Sequence, residues 1–279
     1  MISKRYLIQS LAAIASVTLA ASAFAQASAE STLARVQRTK VLRVGAVAGA
    51  VPYFNKDLVS QKWEGFGPDF SESLAKKLGV KVEYVETTWG NAVLDVQANK
   101  IDAMFGMGPT PARREVVDFS HTLFNNTFTA VCKKGFPAVK TWEQLNNPNT
   151  KIVVDVGSNQ DQFATRMLPK ANIARLENSG AATMSVQTGR ADCQVLVVLL
   201  AQPLLAKRAD VGTMSIPAPV ETSTVNIGIR KETDKGFEQA VNGWLEEVRG
   251  KGEVRSVILK NMEKLAGVKA DSFPAEVKF

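Results

Sequence analysis

Segments with the period of a strand alternate along this chain with segments that have the period of a helix. The first half predicts three strands, at residues 41–47, 80–84 and 101–107. Phe70, Leu74 and Leu78 form one helix face between the first two strands, and Gly79 ends that helix. Thr88 can cap a second helix before the third strand. This β-α-β-α-β order predicts a parallel, doubly wound sheet covered by helices.

The same order of elements begins again in the second half of the chain. It predicts strands at residues 127–133, 151–156, 172–176, 192–199 and 225–230. Helices begin at Ser158 and Ser179, and two amphipathic helices follow the last strand. The segment NKIDA around Asp102 matches the segment GRADC around Asp192, and we interpret both carboxylates as partners of turn N–H groups. We therefore predict two similar α/β lobes, with the chain crossing twice between them.

Residues 1–25 have the three parts of a secretory signal peptide. Lys4 and Arg5 supply positive charge, residues 7–20 are mostly apolar, and Ala23-Phe24-Ala25 is a cleavage site. A second cleavage site at residues 27–29 remains an alternative. The apolar segment is shorter than the roughly 20 residues that a membrane span needs, so we expect an exported protein.

Composition argues against several classes of function. The net charge of +7 is mild, and basic residues occur in isolated pairs such as Lys76-Lys77 without interleaved aromatic residues, so we expect no nucleic-acid partner. His121 is the single histidine and is expected at the surface. Because no residues have metal-ligand spacing and no phosphate loop or complete dinucleotide fingerprint occurs, we expect neither a metal nor a cofactor.

The stretch IDAMFGMGPTPARREVVDFS, residues 101–120, bears most directly on function. A buried strand runs into a Gly-Pro-Thr-Pro turn, and Arg113 and Arg114 follow at once. Free backbone N–H groups, a hydroxyl and a guanidinium together suit a carboxylate. The stretch therefore predicts the capture of a small anion.

Four segments in a fixed order carry a family resemblance: WEGFGPDF, AKKLGVKVEYVETTWGNAV, the stretch 101–120, and GRAD. Together they resemble the family 3 solute-binding proteins of ABC importers, the periplasmic receptors for polar amino acids, over residues 42–264. The resemblance implies a two-lobed α/β fold of the periplasmic-binding-protein type. Each lobe has a doubly wound, mostly parallel sheet, and two crossing strands join the lobes. It also implies closure on a ligand, a periplasmic location, and docking on an ABC-transporter permease in the inner membrane.

These expectations divide the chain into a signal peptide, two lobes, a hinge and a tail. The first lobe would comprise residues 31–124 and 228–268, and the second lobe residues 128–222. Residues 125–127 and 223–227 would form the hinge, and residues 269–279 a C-terminal tail. We expect the protein to act as a monomer.

The resemblance also implies which residues would bind a ligand. Gly106, Gly108, Thr110 and Arg113 match the turn that holds the ligand's α-carboxylate in the family. Gly108 stands where the family usually has a hydroxyl donor. Gly157 and Ser158 match the family's Gly-Thr at a helix start, which favours an anion; the alternative is that Ser158 only caps the helix.

Two departures from the family pattern affect the expected ligand. Val197 stands where the family places the Asp that binds the α-ammonium. In the first loop Val47 and Ala50 replace polar and aromatic residues, which leaves Tyr53 either to stack on the ligand or to pack the lobe. Asp155 is a candidate to pair with a cationic group of the ligand; the alternative is a surface carboxylate bonded to the helix start. Carboxylate capture is thus expected, and ammonium capture is in question.

The sequence favours a receptor, and we expect no enzymatic activity. The alternative is an exported lyase or dehydratase that acts on a small carboxylate, because some such enzymes share this bilobed fold. It would need an acid–base group in the cleft, and Asp155 or the weaker candidate Glu221 would have to serve.

The two cysteines, Cys132 and Cys193, are expected to be neighbours. In the fold implied by the resemblance, the first crossing strand lies antiparallel beside the strand that follows GRAD. Export brings the chain into an oxidising compartment, but directly paired strand residues often have poor disulfide geometry. The sequence leaves open whether they form a disulfide.

Overall fold

The computed structural model describes residues 30–274 of the chain. The predicted signal peptide, both candidate cleavage sites and the last residues of the predicted tail lie outside the described residues. Within residues 30–274, no helix has both the length and the apolar character that a membrane crossing requires.

Helices connect most of the strands. The α-helices are α1 (Thr32–Thr39), α2 (Phe66–Leu78), α3 (Ala92–Gln97), α4 (Pro111–Val116), α5 (Asn159–Met167), α6 (Ser179–Gln187), α7 (Val198–Lys207), α8 (Gly236–Gly250) and α9 (Glu253–Ala266). The strands are β1 (Val41–Ala46), β2 (Asn55–Lys56), β3 (Trp63–Glu64), β4 (Lys81–Glu86), β5 (Ala103–Met107), β6 (Val117–Phe119), β7 (Phe124–Lys133), β8 (Lys151–Asp155), β9 (Asn172–Leu176), β10 (Cys193–Val197), β11 (Gly212–Ser215) and β12 (Thr222–Arg230). In the described part of the chain, 3₁₀ helices cover Trp142–Leu145 and Ala270–Ser272.

The two lobes repeat one strand order. In the first lobe β1 lies between β4 and β5 and pairs with both in parallel. In the second lobe β8 lies between β9 and β10, again in parallel. A long antiparallel strand completes each sheet, β12 beside β5 and β7 beside β10. The prediction of two similar, mostly parallel α/β lobes is confirmed.

The strands β7 and β12 link the lobes. They pair antiparallel with each other between their lobe-specific parts, from Thr127 opposite Thr222 to Phe124 opposite Val225. These are the two crossing strands that the family resemblance implied. The residue boundaries given above for lobes and hinge remain a prediction.

One predicted element is wrong in its second half. Residues 192–199 were expected to form a single strand, but β10 ends at Val197 and α7 begins at Val198. The run from Cys193 to Leu200 is apolar throughout except for Gln194, and such a run carries no period that separates a buried strand from a buried helix. Helix α1, before the first strand, was not predicted either.

The matched aspartates anchor corresponding strands. Asp102 accepts a hydrogen bond from the backbone N–H of Arg43 in β1 at 2.7 Å, and Asp192 accepts one from Lys151 in β8 at 2.9 Å. Asp102 is fully buried and also pairs with the guanidinium groups of Arg35 and Arg43. Their role is structural, as interpreted, but the N–H groups belong to neighbouring strands and not to turns.

The cysteines are direct partners. Cys193 lies opposite Cys132 in the β10–β7 ladder, and a disulfide joins them across a Cα–Cα distance of 4.0 Å. The prediction that they are neighbours is confirmed. The bond spans 61 residues of sequence and ties β7 to the centre of the second lobe.

Candidate functional site

The end of β5 requires a glycine, and the turn after it requires a threonine. Gly106 has a φ of +91°, and a Cβ there would come within 2.9 Å of the Tyr53 ring. Thr110 caps α4, because its hydroxyl accepts a hydrogen bond from the N–H of Arg113 at 3.4 Å. Pro111 occupies the first turn of this helix, where its missing N–H costs nothing. The local sequence thus sets where the side chain of Arg113 begins.

Arg113 is buried at the contact between the lobes. Its guanidinium donates to the carbonyl oxygens of Gly108 at 3.0 Å, of Trp89 at 3.5 Å, and of Gly157 in the second lobe at 2.8 Å. No carboxylate among residues 30–274 forms an ion pair with it, whereas its exposed neighbour Arg114 lies over the ring of Phe119. Burial lowers the pKa of Arg113 to about 10, so the group stays charged at neutral pH. The site therefore contains a buried cation without a counter-charge.

At the start of α5 in the second lobe, the backbone N–H groups are bonded to the side chains of Ser158 and Asp161. The Ser158 hydroxyl accepts from the N–H of Asp161 at 3.1 Å, and the N–H of Gly157 donates to the Asp161 carboxylate at 2.9 Å. Ser158 thus acts as an N-cap, which is the alternative left open by the sequence. Because the N–H of Gly157 is already bonded to Asp161, Gly157 contacts Arg113 of the other lobe through its carbonyl oxygen. Ligand binding by Gly157 and Ser158 remains a prediction.

A narrow cavity of about 20 Å³ lies beside Arg113, and we call it the Arg113 cavity. Five residues predicted for the site line it: Tyr53, Gly106, Gly108, Arg113 and Val197. Four polar or aromatic residues that the prediction missed also line it: Trp89, Asn126, Asn159 and Gln160. This volume holds about one water molecule. A ligand would have to widen it by moving the lobes apart.

Tyr53 packs the first lobe and also reaches the site. Its ring lies 4.4 Å from that of Phe66, and its buried hydroxyl accepts a hydrogen bond from Asn126 at 2.6 Å. Burial raises the pKa of this hydroxyl well above its usual value, so it stays protonated. Asn126 is buried on a crossing strand, but it stands in the polar run Asn125-Asn126-Thr127 of β7, so no local sequence signal distinguished it from its neighbours.

Asp155 lies apart from the Arg113 cavity. It ends β8 and lines a separate cavity of about 320 Å³, the Asp155 cavity, whose walls include Trp89, Ala50 and Glu177. Its Oδ1 is buried and has no hydrogen-bond partner within residues 30–274. Burial raises the pKa of this carboxyl to about 7, against a smaller opposing effect of a hydrogen bond with Ser179. Asp155 is therefore not the surface carboxylate of the alternative interpretation.

Trp89 lines both cavities, so the two have one wall residue in common. Glu221, the weaker acid candidate, does not line the Asp155 cavity and lies 3.8 Å from Arg166. The described part of the chain contains no group of three or more His, Cys, Asp or Glu side chains placed to hold a metal.

The two lobes contact each other at Gly90 and Gly157, where no side chain separates the two backbones. A Cβ on Gly157 would come within 2.9 Å of the Cα of Gly90 in the first lobe, and a Cβ on Gly90 would meet the carbonyl of Val156 at 3.0 Å. Only glycines allow this approach, which brings the carbonyl of Gly157 to Arg113. The structure thus has its lobes closed on each other.

Proteins similar to this chain include an enzyme and several binding proteins. The cyclohexadienyl dehydratase of Pseudomonas aeruginosa is 28% identical over 255 residues, which is 91% of this chain and 92% of that protein. The arginine-binding extracellular protein ArtP of Bacillus subtilis is 22% identical over 258 residues, 91% of this chain and 96% of that protein. The crystal structure of the ancestral amino acid-binding protein AncCDT-1, a precursor of cyclohexadienyl dehydratase, has a TM-score of 0.72 and 34% identity, and covers 85% of this chain and all of that one.

The similarity to a dehydratase corrects one expectation. We expected no enzymatic activity, but a protein similar over nearly its whole length is named for a catalytic reaction, and a structural neighbour is a precursor of that enzyme. The expectation is therefore wrong as stated, because the bilobed fold and the carboxylate-type turn do not separate a receptor from an enzyme. The sequence profile of one family matches residues 42–264, nearly all of the described chain. The chain belongs to the bacterial extracellular solute-binding proteins, family 3.

Proposed function

We propose that this protein is a periplasmic receptor that captures a small carboxylate-bearing ligand, an amino acid or an amino-acid-like molecule, between its lobes. It would act as a monomer and deliver the ligand to an ABC-transporter permease in the inner membrane. Membership of an extracellular family and the predicted signal peptide support the location. The boundaries proposed for the lobes and for the hinge at residues 125–127 and 223–227 follow from this account.

The observation that carries the proposal is the environment of Arg113. Its guanidinium is buried and charged, and its hydrogen-bond partners among residues 30–274 are the carbonyl oxygens of Gly108, Trp89 and Gly157. A buried cation without a counter-charge is costly, and a ligand carboxylate would supply both the charge and a bidentate acceptor. Since Gly157 belongs to the second lobe, entry of a carboxylate requires that its carbonyl withdraw and the lobes separate.

A second wall of the cleft suits the far end of the ligand. The Asp155 cavity shares the wall residue Trp89 with the Arg113 cavity, and its buried carboxyl has an oxygen without a hydrogen-bond partner among residues 30–274. A cationic or hydrogen-bond-donating group of the ligand would satisfy that oxygen. The proposed ligand therefore has a carboxylate at one end and a donor group at the other.

Matched arginine variants test the receptor function. A thermal-shift screen of small carboxylates identifies binders, and titration calorimetry then measures stoichiometry and affinity. We expect 1:1 binding, weakened by more than about 2 kcal/mol in Arg113→Ala. Arg114→Ala is the control, because Arg114 lies on the same helix and its side chain is exposed. Equal affinities of wild type and Arg113→Ala for every binder would exclude this site.

Dehydration of a small cyclic carboxylate is a second candidate function, and Asp155 favours it. A dehydratase must protonate the hydroxyl that leaves as water, and an acid with a pKa near 7 does so well at neutral pH. The cyclohexadienyl dehydratase relative supports testing hydroxyl-bearing cyclohexadienyl acids as substrates.

Nuclear magnetic resonance tests this second candidate. Incubation of the protein with a hydroxyl-bearing cyclohexadienyl acid should give enzyme-dependent loss of water from the ring. Asp155→Asn should abolish the turnover while a binding signal remains. An unchanged substrate spectrum with catalytic amounts of wild-type protein would argue against the dehydratase.

A further inference from the structure

Asn126 is a buried polar residue of the Arg113 cavity that has an unused acceptor. It is 6% exposed, its amide nitrogen donates to the Tyr53 hydroxyl, and it lines the same cavity as Arg113. Its Oδ1 has no hydrogen-bond partner within residues 30–274. A buried carbonyl oxygen of this kind is costly unless a donor meets it, so its place in the cavity calls for a hydrogen-bond donor.

Asn126 also shares a face of the sheet with Val197. In the ladder between β7 and β10, Val197 lies opposite Phe128, and Asn126 is two positions from Phe128 along β7. Residues directly opposite share a face, as do residues two apart on a strand. The apolar side chain at position 197 and the neutral acceptor at position 126 therefore point to the same side, where both residues line the cavity.

We propose that Asn126 makes the cavity selective for carboxylic acids that carry a neutral hydroxyl, and not an ammonium, on the carbon next to the carboxylate. This inference rests on the proposed function of Arg113. With the ligand carboxylate bound to Arg113, the substituent on the adjacent carbon faces the Oδ1 of Asn126 and the side chain of Val197. A hydroxyl donates to Asn126 without loss of a solvated charge. An ammonium on the same carbon would be desolvated near Arg113, and no carboxylate of the described residues lines the Arg113 cavity to pair with it. The ligand class is that of the α-hydroxy acids.

Matched pairs of ligands test this selectivity. L-lactate with L-alanine, L-phenyllactate with L-phenylalanine, and L-argininic acid with L-arginine each differ only in hydroxyl against ammonium. Calorimetry of the wild-type protein should show binding of at least one hydroxy acid, at least about tenfold tighter than its amino acid partner. An amino acid that binds as tightly as its hydroxy acid partner overturns the inference.

Variants at position 126 test the assignment of the residue. Asn126→Asp adds the missing negative charge and should reverse the preference in favour of the amino acid. Asn126→Leu removes the acceptor and should weaken hydroxy-acid binding about tenfold. Asn226 is the matched control, since it is buried on the other crossing strand and lies outside the residues that line the cavity. Its Oδ1 also has no hydrogen-bond partner among the described residues. Asn226→Asp should leave the preference unchanged.

The remaining outcomes separate this inference from the proposed function. If Asn126 only holds a buried water, both of its variants leave hydroxy-acid affinity within about twofold, and the inference fails. If the variants do not fold, Val197→Asp supplies a carboxylate on the same face and should raise the affinity for amino acids. An unchanged amino-acid affinity in Val197→Asp would overturn the inference. If other carboxylates bind in an Arg113-dependent way and no hydroxy acid binds, the inference is overturned and the receptor function stays intact. Absence of all carboxylate binding overturns both.

Discussion

The replacement of Asp155 by Asn should change how the stability of the protein depends on pH. Burial raises the pKa of this carboxyl from 3.8 to about 7 in the folded protein. Between these two pH values the folded state binds a proton that the unfolded state has lost, so stability falls as pH rises. At about 1.4 kcal/mol per pKa unit, the full cost of ionising Asp155 in the folded state is about 4 kcal/mol.

Urea denaturation at a series of pH values measures this effect. Asn cannot ionise, so Asp155→Asn should gain stability relative to wild type by about 4 kcal/mol between pH 4 and pH 8. A constant offset from altered packing does not matter, because only the pH-dependent part reports ionisation. Glu177→Gln is the control, since Glu177 is an exposed acid on the wall of the same cavity. Parallel stability profiles of wild type and Asp155→Asn across this range would refute the burial of an unpaired carboxyl.

Two further predictions test the closure of the lobes and the disulfide. Gly90→Val should hold the lobes apart, because its side chain would meet the Val156 carbonyl, and X-ray scattering should show a larger radius of gyration and calorimetry a weaker affinity. Gly243→Val is the control, because a Cβ added to that glycine of α8 meets no heavy atom of residues 30–274 outside its own helix within 4 Å. An unchanged radius in Gly90→Val would refute the contact. The double variant Cys132→Ala, Cys193→Ala removes a link across 61 residues and should lower the free energy of unfolding by about 4 kcal/mol. Two free thiols counted in denatured, unreduced protein would contradict the disulfide itself.

Local sequence signals predicted most of the fold. Amphipathic spacing and glycine at helix ends located α2 and its neighbours, and the matched aspartates at positions 102 and 192 indicated the repeat of the two lobes. Helix α7 was missed because a continuous apolar run looks the same in a buried helix and in a buried strand. The parts of the fold that depend on periodicity were therefore predictable, and the part without a period was not.

The candidate site was predictable only in part. The Gly-Pro-Thr-Pro turn and the arginines after it indicated an anion site, and the family resemblance singled out Arg113, because this local chemistry is encoded within a few residues. The contact of Arg113 with Gly157 joins residues 44 apart and depends on how the lobes approach each other, which no local pattern encodes. Asn126 was missed for the same reason, since its importance comes from Tyr53 and the cavity and not from its neighbours in sequence.

Native mass spectrometry of the exported protein with its bound carboxylate tests the central claim most directly. The claim is that Arg113, which is buried and has no counter-charge among residues 30–274, receives the carboxylate between the lobes. Wild type and Arg114→Ala should each retain one small ligand per chain, and Arg113→Ala should retain none under the same conditions. The same ligand at the same occupancy in Arg113→Ala would contradict the account.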